Sequence, residues 1–199
     1  MYMNILVGVS GGIAAYKVCS LVSLLSKNHT VRVIMTDAAK EFVGPLTFET
    51  LTNHSLIDGR RGLKDEVIKA TESSRQIVPH IYYPQEWAKL FVIAPATANI
   101  IGKAANGIAD DFLSSCIIAT NKPILFIPSM NEEMYENKAT QRNLKTLKED
   151  GHIIMEPDTG MLACGVNGKG KMPGTKEIND VIEGILEERR YYKLTLPHA

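Results

Sequence analysis

Apolar residues recur along the chain in two alternating rhythms: short unbroken runs, and stretches spaced by three and four. Asn4–Val9 (NILVGV) is a continuous apolar run, as a parallel strand buried on both faces requires. The following stretch, 13–25, sets Ala14, Val18, Leu21, Val22 and Leu25 on one helical stripe. Similar runs predict strands at 31–35, 90–94, 123–127 and 152–155. Helical spacing predicts helices near 45–53, 99–105, 110–119, 137–149 and 176–190. Strand–helix alternation of this kind implies an α/β fold, a Rossmann-like (flavodoxin-like) doubly wound parallel sheet forming a single domain over 1–199.

Two segments depart from these rhythms. Residues 58–78 are charged and weakly periodic, which predicts a surface excursion with one exposed helix. Residues 156–175 hold five of the fifteen glycines and show no strong period. An ordered loop of that length is commonly a lid, and a floppy connection to the last helix is the other reading. Residues 191–199 are expected to form a C-terminal tail.

Composition narrows the function classes. The 199 residues are 45% apolar and 22% charged, enough for a real core, and 22 basic residues balance 22 acidic ones. A net charge of zero argues against a general nucleic-acid binder or a polybasic membrane surface. Residues 1–7 lack a basic leader, and no run approaches the ~18–20 apolar residues of a membrane span, so the expected location is the cytoplasm. Cys19, Cys116 and Cys164 contain no C-x-x-C pair, which excludes a disulfide framework and a zinc cluster.

The first strand runs into Gly8-Val9-Ser10-Gly11-Gly12 and then a helix. This formally fits G-x-S-x-G, but that nucleophile elbow belongs after several strands. The dinucleotide fingerprint G-x-G-x-x-G is absent because Ser10 stands at its second glycine, although Asp37 after the second strand keeps a nicotinamide reading open. A glycine turn at a helix N-terminus suits a single phosphate, as in a mononucleotide site; a tight turn without ligand is the plain alternative. Two further strand ends carry Pro95-Ala96-Thr97-Ala98-Asn99 and Pro128-Ser129-Met130-Asn131-Glu132-Glu133-Met134-Tyr135. Their small residues and asparagines make a mostly neutral, hydrogen-bonding pocket that suits a flavin ring better than a metal, although an Asn taken singly is more often a helix cap.

With these motifs in order, the sequence resembles the homo-oligomeric flavin-containing cysteine decarboxylases. Gly11 to Lys17 resembles the family's first turn, and Pro95 to Asn99 its PASAN-type motif. Pro128 to Tyr135 resembles PxMNxxMW with Tyr135 in place of Trp, and Ala163 to Met172 resembles the flap of the branch that acts on 4′-phosphopantothenoylcysteine in coenzyme A biosynthesis. The likeness covers about 3–185. It implies FMN, no metal, a small-molecule thiol substrate, and a homotrimer, often assembled to a homododecamer, with active sites between subunits. By motif position, Gly11, Gly12 and Ile13 would hold the phosphate region, with Thr36, Asp37, Ala38, Thr97, Ala98, Asn99, Ile100 and Ser129 beside the cofactor. His80 and Asn131 would serve the chemistry and the substrate carboxylate, and Ala163, Cys164 and Met172 would clamp the substrate.

The implied reaction answers a chemical need, since CO2 leaving a cysteine carboxylate strands a carbanion. FMN-dependent oxidation to a thioaldehyde gives that charge a sink as an enethiolate, and re-reduction yields the saturated thiol of 4′-phosphopantetheine. Cys164 would supply the last proton, which peptide-modifying relatives lack. A peptidyl-cysteine decarboxylase releasing an aminoenethiol, a flavin prenyltransferase-like protein and a phosphatase-binding subunit are the competing readings. The chain departs from the family's H-I-E-L-x-x-W, with His80-Ile81-Tyr82-Tyr83-Pro84-Gln85-Glu86-Trp87 one residue longer. Gln85 is the nearest counterpart of the arginine that relatives carry there.

Overall fold

The computed structural model describes residues 2–57, 78–163, 165 and 167–195, with side chains as far as 188. Strands β1 (Asn4–Val9), β2 (Thr30–Met35), β3 (Leu90–Ala96), β4 (Ile124–Pro128) and β5 (Ile153–Ile154) form one parallel sheet in the order β2-β1-β3-β4-β5. β1 is central: Val7 pairs with Val33 on one side and Val92 on the other, and Ile5, Leu6 and Val7 are fully buried. Burial on both faces explains why these strands are unbroken apolar runs.

Helices cover both faces. On one side α1 (Ala15–Leu25), α3 (Pro45–Thr52) and α9 (Thr175–Thr195) bring Val18, Leu21, Phe48, Ile178 and Ile182 against Ile5, Val7 and Val9. On the other, α5 (Ala98–Ala105), α6 (Phe112–Ile118) and α8 (Lys138–Glu149) bring Ile101, Leu113, Cys116 and Leu147 against Leu6, Phe91 and Phe126. Cys116 is wholly buried and Cys19 half-buried, and burial pushes both thiols up, as expected of cysteines acting as small hydrophobes.

Several elements differ from the expectations. α1 starts two residues late because Gly12 and Ile13 turn the chain, their carbonyls accepting from Ala15 and Tyr16. Short helices α2 (Asp37–Lys40), α4 (Pro79–Ile81) and α7 (Glu132–Glu136) had no periodic signal. α4 runs into a π-helix, Tyr82–Trp87, in which the Ala88 N–H reaches the Tyr83 carbonyl at 2.9 Å. A π-turn absorbs one extra residue within a helix, and it falls on the stretch read above as one residue longer than H-I-E-L-x-x-W. Within the glycine-rich segment β6 (Asp158–Met161) and β7 (Asn167–Lys171) form an antiparallel hairpin. α9 continues through Thr195, so the start of the expected tail is helical. The 58–78 excursion lies outside the described residues except for Val78.

Candidate functional site

The strand order reverses between β1 and β3, which opens a crevice at the carboxyl ends of the strands. A cleft of about 650 Å³ lies there. The turn before α1 contributes Gly11, Gly12 and Ile13, the β3–α5 turn Thr97, Ala98 and Asn99, and the β4–α7 turn Ser129, Met130 and Asn131. The hairpin contributes Ala163, Gly170, Lys171 and Met172. Ten of the residues singled out from the sequence thus meet in one cleft.

Ser10 explains how the first two turns are held together. Its buried hydroxyl donates to the Pro95 carbonyl at 2.6 Å and accepts from the Thr97 N–H at 3.1 Å, with Thr97 Oγ1 at 3.0 Å. A hydroxyl so engaged is a tie rather than a nucleophile, in keeping with the rejection of the hydrolase elbow. With Thr97 drawn to Ser10, α5 has no side-chain cap, and neither has α1, whose N-cap is Ala14. The first N–H groups of α5 lack intrahelical partners and turn toward the cleft, whereas those of Ala15, Tyr16 and Lys17 in α1 are taken up by the Gly12, Ile13 and Ala14 carbonyls, so that α1 offers the cleft the positive end of its dipole. By contrast Asp111 and Asn137 cap α6 and α8 with their side chains.

Gly11 is required by close approach. A Cβ there would stand 2.5 Å from the Ala38 Cβ and 2.9 Å from its carbonyl carbon. Gly11→Ala is therefore expected to push the first turn off Ala38. The expected cost is about 1–3 kcal/mol of stability, with at least tenfold weaker flavin retention, read by urea unfolding and by flavin absorbance after dialysis. Thr36, Asp37 and Ala38 border this turn without lining the cleft: the Thr36 hydroxyl caps α2 and Asp37 pairs with Lys40 at 2.6 Å. Ile100 is buried in the second core cluster and is not among the residues lining the cleft.

Asn131 has two duties, lining the cleft and capping α7 by accepting from the Glu133 N–H at 2.9 Å. His80 is not brought to this cleft; it is half-buried on α4, which packs on α6. Cys164 lies outside the described residues. Gln85 is engaged within its own chain. Its amide donates to Asn121 Oδ1 at 2.9 Å and accepts from the Thr120 hydroxyl at 3.1 Å and the Asn121 N–H at 3.2 Å. It fastens the α6–β4 turn.

Sequence reasoning missed how the hairpin docks. The Met130 N–H donates to the Gly170 carbonyl at 3.0 Å, and the Lys169 N–H to Glu132 Oε1 at 2.8 Å. Gly170 has φ +135°, and any Cβ there would collide with the Met130 carbonyl. Glu156, just before β6, accepts from the Tyr135 hydroxyl at 2.5 Å and lies 2.9 Å from Lys148 Nζ and 3.4 Å from Lys169 Nζ. The Tyr135 hydrogen bond and then Lys148 hold its carboxyl down at about 2, against ~4.3 for an ordinary glutamate. A carboxylate depressed by folding stabilises fully above its unfolded value and loses that contribution as pH falls toward 2. Glu156→Gln should therefore lose less stability than the parent between pH 5 and pH 2.5, by up to about 1 kcal/mol since the group is half exposed, in urea titrations at both pH values.

Among the described residues no group of three or more His, Cys, Asp or Glu is placed to hold a metal, and no helix is long and apolar enough to cross a membrane. Comparison with known proteins adds independent findings. The chain is 42% identical over 197 residues to the coenzyme A biosynthesis bifunctional protein CoaBC of Bacillus subtilis, covering 98% of this chain and 46% of that protein. It spans less than half the length of the curated relatives it matches. A cysteine-to-serine mutant of PPC decarboxylase complexed with pantothenoylaminoethenethiol superposes with a TM-score of 0.80 at 29% identity, covering 94% of this chain and 100% of that one. The FMN-dependent cysteine decarboxylase SpaF superposes with a TM-score of 0.75 at 30% identity, covering 94% and 96%. Residues 2–187 match the Flavoprotein family, and with the sheet order and cleft above the chain belongs to that family.

Proposed function

We propose that the chain is an FMN-dependent carboxy-lyase that decarboxylates 4′-phosphopantothenoylcysteine to 4′-phosphopantetheine in coenzyme A biosynthesis. The observation that carries this reading is the cleft itself. Two helix N-termini without side-chain caps face it at the switch point, Asn131 lines it, and a docked hairpin borders it. The names of the matched CoaBC proteins and of the superposed PPC decarboxylase support the same activity.

The residues present fit the cofactor. The glycine turn, kept free of a Cβ by Ala38, would take the phosphate at Gly11, Gly12 and Ile13, with Thr36, Asp37 and Ala38 flanking it. Thr97, Ala98, Asn99, Ser129 and the Ile100 backbone would border the ring. When bound, FMN supplies a two-electron acceptor for the thiol-bearing carbon, so that the electron pair released with CO2 has a sink. The chain's own groups do the rest. The Asn131 amide orients the substrate carboxylate, and Ala163 with the buried Met172 closes over the substrate and excludes water. His80 relays a proton at its imidazole, and the Cys164 thiol delivers one to the product carbon.

His80 stands outside the cleft of its own chain, as an active site assembled between subunits requires. We therefore infer a cytoplasmic homotrimer, further assembled to a dodecamer, with His80 presented by a neighbouring protomer. Exposed apolar side chains at the cleft support this: Ile13 is 56% exposed and Tyr16 58%. Residues 1–199 are read as one decarboxylase domain with its flap at 156–175. The peptidyl-cysteine reading keeps one observation in its favour, since the Gln85 amide is engaged by the 120–121 turn. Denaturing the purified protein and weighing the released cofactor tests the reading. About one FMN per chain with CO2 release from 4′-phosphopantothenoylcysteine is expected; FAD, NAD or no CO2 contradicts it.

A further inference from the structure

We propose that Lys171, on the return strand of the hairpin, is the specificity-determining cation of the cleft and takes the terminal phosphate of the substrate. The proposal rests on the decarboxylase reading above. Lys17 and Lys171 are the charged residues among those lining the cleft, and no aspartate or glutamate is among the lining residues. Four lysines elsewhere are held by acids, Lys40 by Asp37, Lys103 by Asp110 and Asp111, and Lys148 and Lys169 by Glu156. In a chain of zero net charge, two lysines in one acid-free cleft focus positive potential where an anionic ligand binds.

The geometry singles out Lys171 of the two. It lies opposite Asp158 in the hairpin register, yet among the described residues no ion pair joins them. Its stem lies over Gly160 instead, where an added Cβ would be 3.2 Å from Cδ and 3.3 Å from Nζ, so the absence of a side chain at 160 leaves room for the ammonium. The strand beneath is fixed on both sides: the Gly170 carbonyl is held by Met130, and Met172 is buried in the first core cluster. A lysine carried on such a strand loses less freedom on binding than one on a mobile loop. Lys17 belongs to α1, beside the glycine turn that suits the flavin phosphate. Two cations on two elements thus match two anionic groups, one on the cofactor and one on the substrate.

The test titrates the FMN-loaded protein with 4′-phosphopantetheine and with pantetheine by calorimetry. These ligands differ in the phosphate and have no carboxylate for Asn131. The parent protein is expected to bind the phosphorylated ligand roughly 10- to 100-fold more tightly, as one charge-assisted contact allows. Lys171→Gln should shrink that preference to within about threefold while leaving pantetheine affinity and flavin content unchanged, and Lys171→Arg should retain most of it. The proposal is overturned by an undiminished preference in Lys171→Gln or by equal weakening of both ligands, which marks a packing role. Loss of flavin, which assigns the lysine to the cofactor, or failure of the parent to bind either ligand overturns it as well. CO2 release from 4′-phosphopantothenoylcysteine is measured on the same parent sample. Its absence refutes the decarboxylase reading, and the titration still decides the role of Lys171.

Discussion

Asn131→Asp is expected to give a folded, yellow protein whose decarboxylation falls by roughly a hundredfold or more. The fold survives because aspartate is as good an N-cap as asparagine. Its oxygen can still accept from the Glu133 N–H, and its charge favours the N-terminal end of α7. The chemistry fails because Asn131, which lines the cleft, becomes a negative charge where the proposed substrate carboxylate binds. Circular dichroism, the flavin spectrum and CO2 release separate the two effects. Near-parental turnover removes Asn131 from the site; a colourless protein shows that it serves the cofactor instead.

Cys164→Ser should divide the reaction at its midpoint. Serine keeps the size and hydrogen-bonding capacity of cysteine but is a far weaker acid than a thiol of pKa ~8.5. Loss of CO2 should proceed, while the final protonation should stall. The yellow colour is then expected to bleach on a single turnover and stay bleached, with a product two hydrogens lighter than the saturated thiol. The superposed PPC decarboxylase carries a cysteine-to-serine mutation and holds pantothenoylaminoethenethiol, an unsaturated thiol of the kind such a stalled reaction leaves. Normal turnover of Cys164→Ser to saturated product makes the cysteine structural and raises the peptidyl-cysteine reading.

The doubly wound sheet was legible because each central strand is buried on both faces and so writes itself as an unbroken apolar run. Val7, paired with Val33 and Val92, belongs to such a run. The cofactor side was legible for a different reason. Glycines and small residues at strand ends are forced by close approach, and Gly11 against Ala38 is an instance. The hairpin left no such trace: β6 (DTGM) and β7 (NGKGK) lack apolar alternation because they dock through backbone groups, Gly170 to Met130 and Lys169 to Glu132. The engagement of Gln85 was not legible because its neighbours in sequence are not its partners in space; the residues it binds, Thr120 and Asn121, lie some 35 positions away. The proposed role of Lys171 left no trace in the sequence since it comes from the absence of acids among the residues lining the folded cleft.

The most direct test of the account is a side-by-side assay of CO2 release from 4′-phosphopantothenoylcysteine and from a peptide ending in cysteine, at equal concentrations of the FMN-loaded protein. The account predicts stoichiometric CO2 and 4′-phosphopantetheine from the first substrate and little or none from the second. CO2 and an aminoenethiol from the peptide, with the phosphorylated substrate untouched, would contradict it.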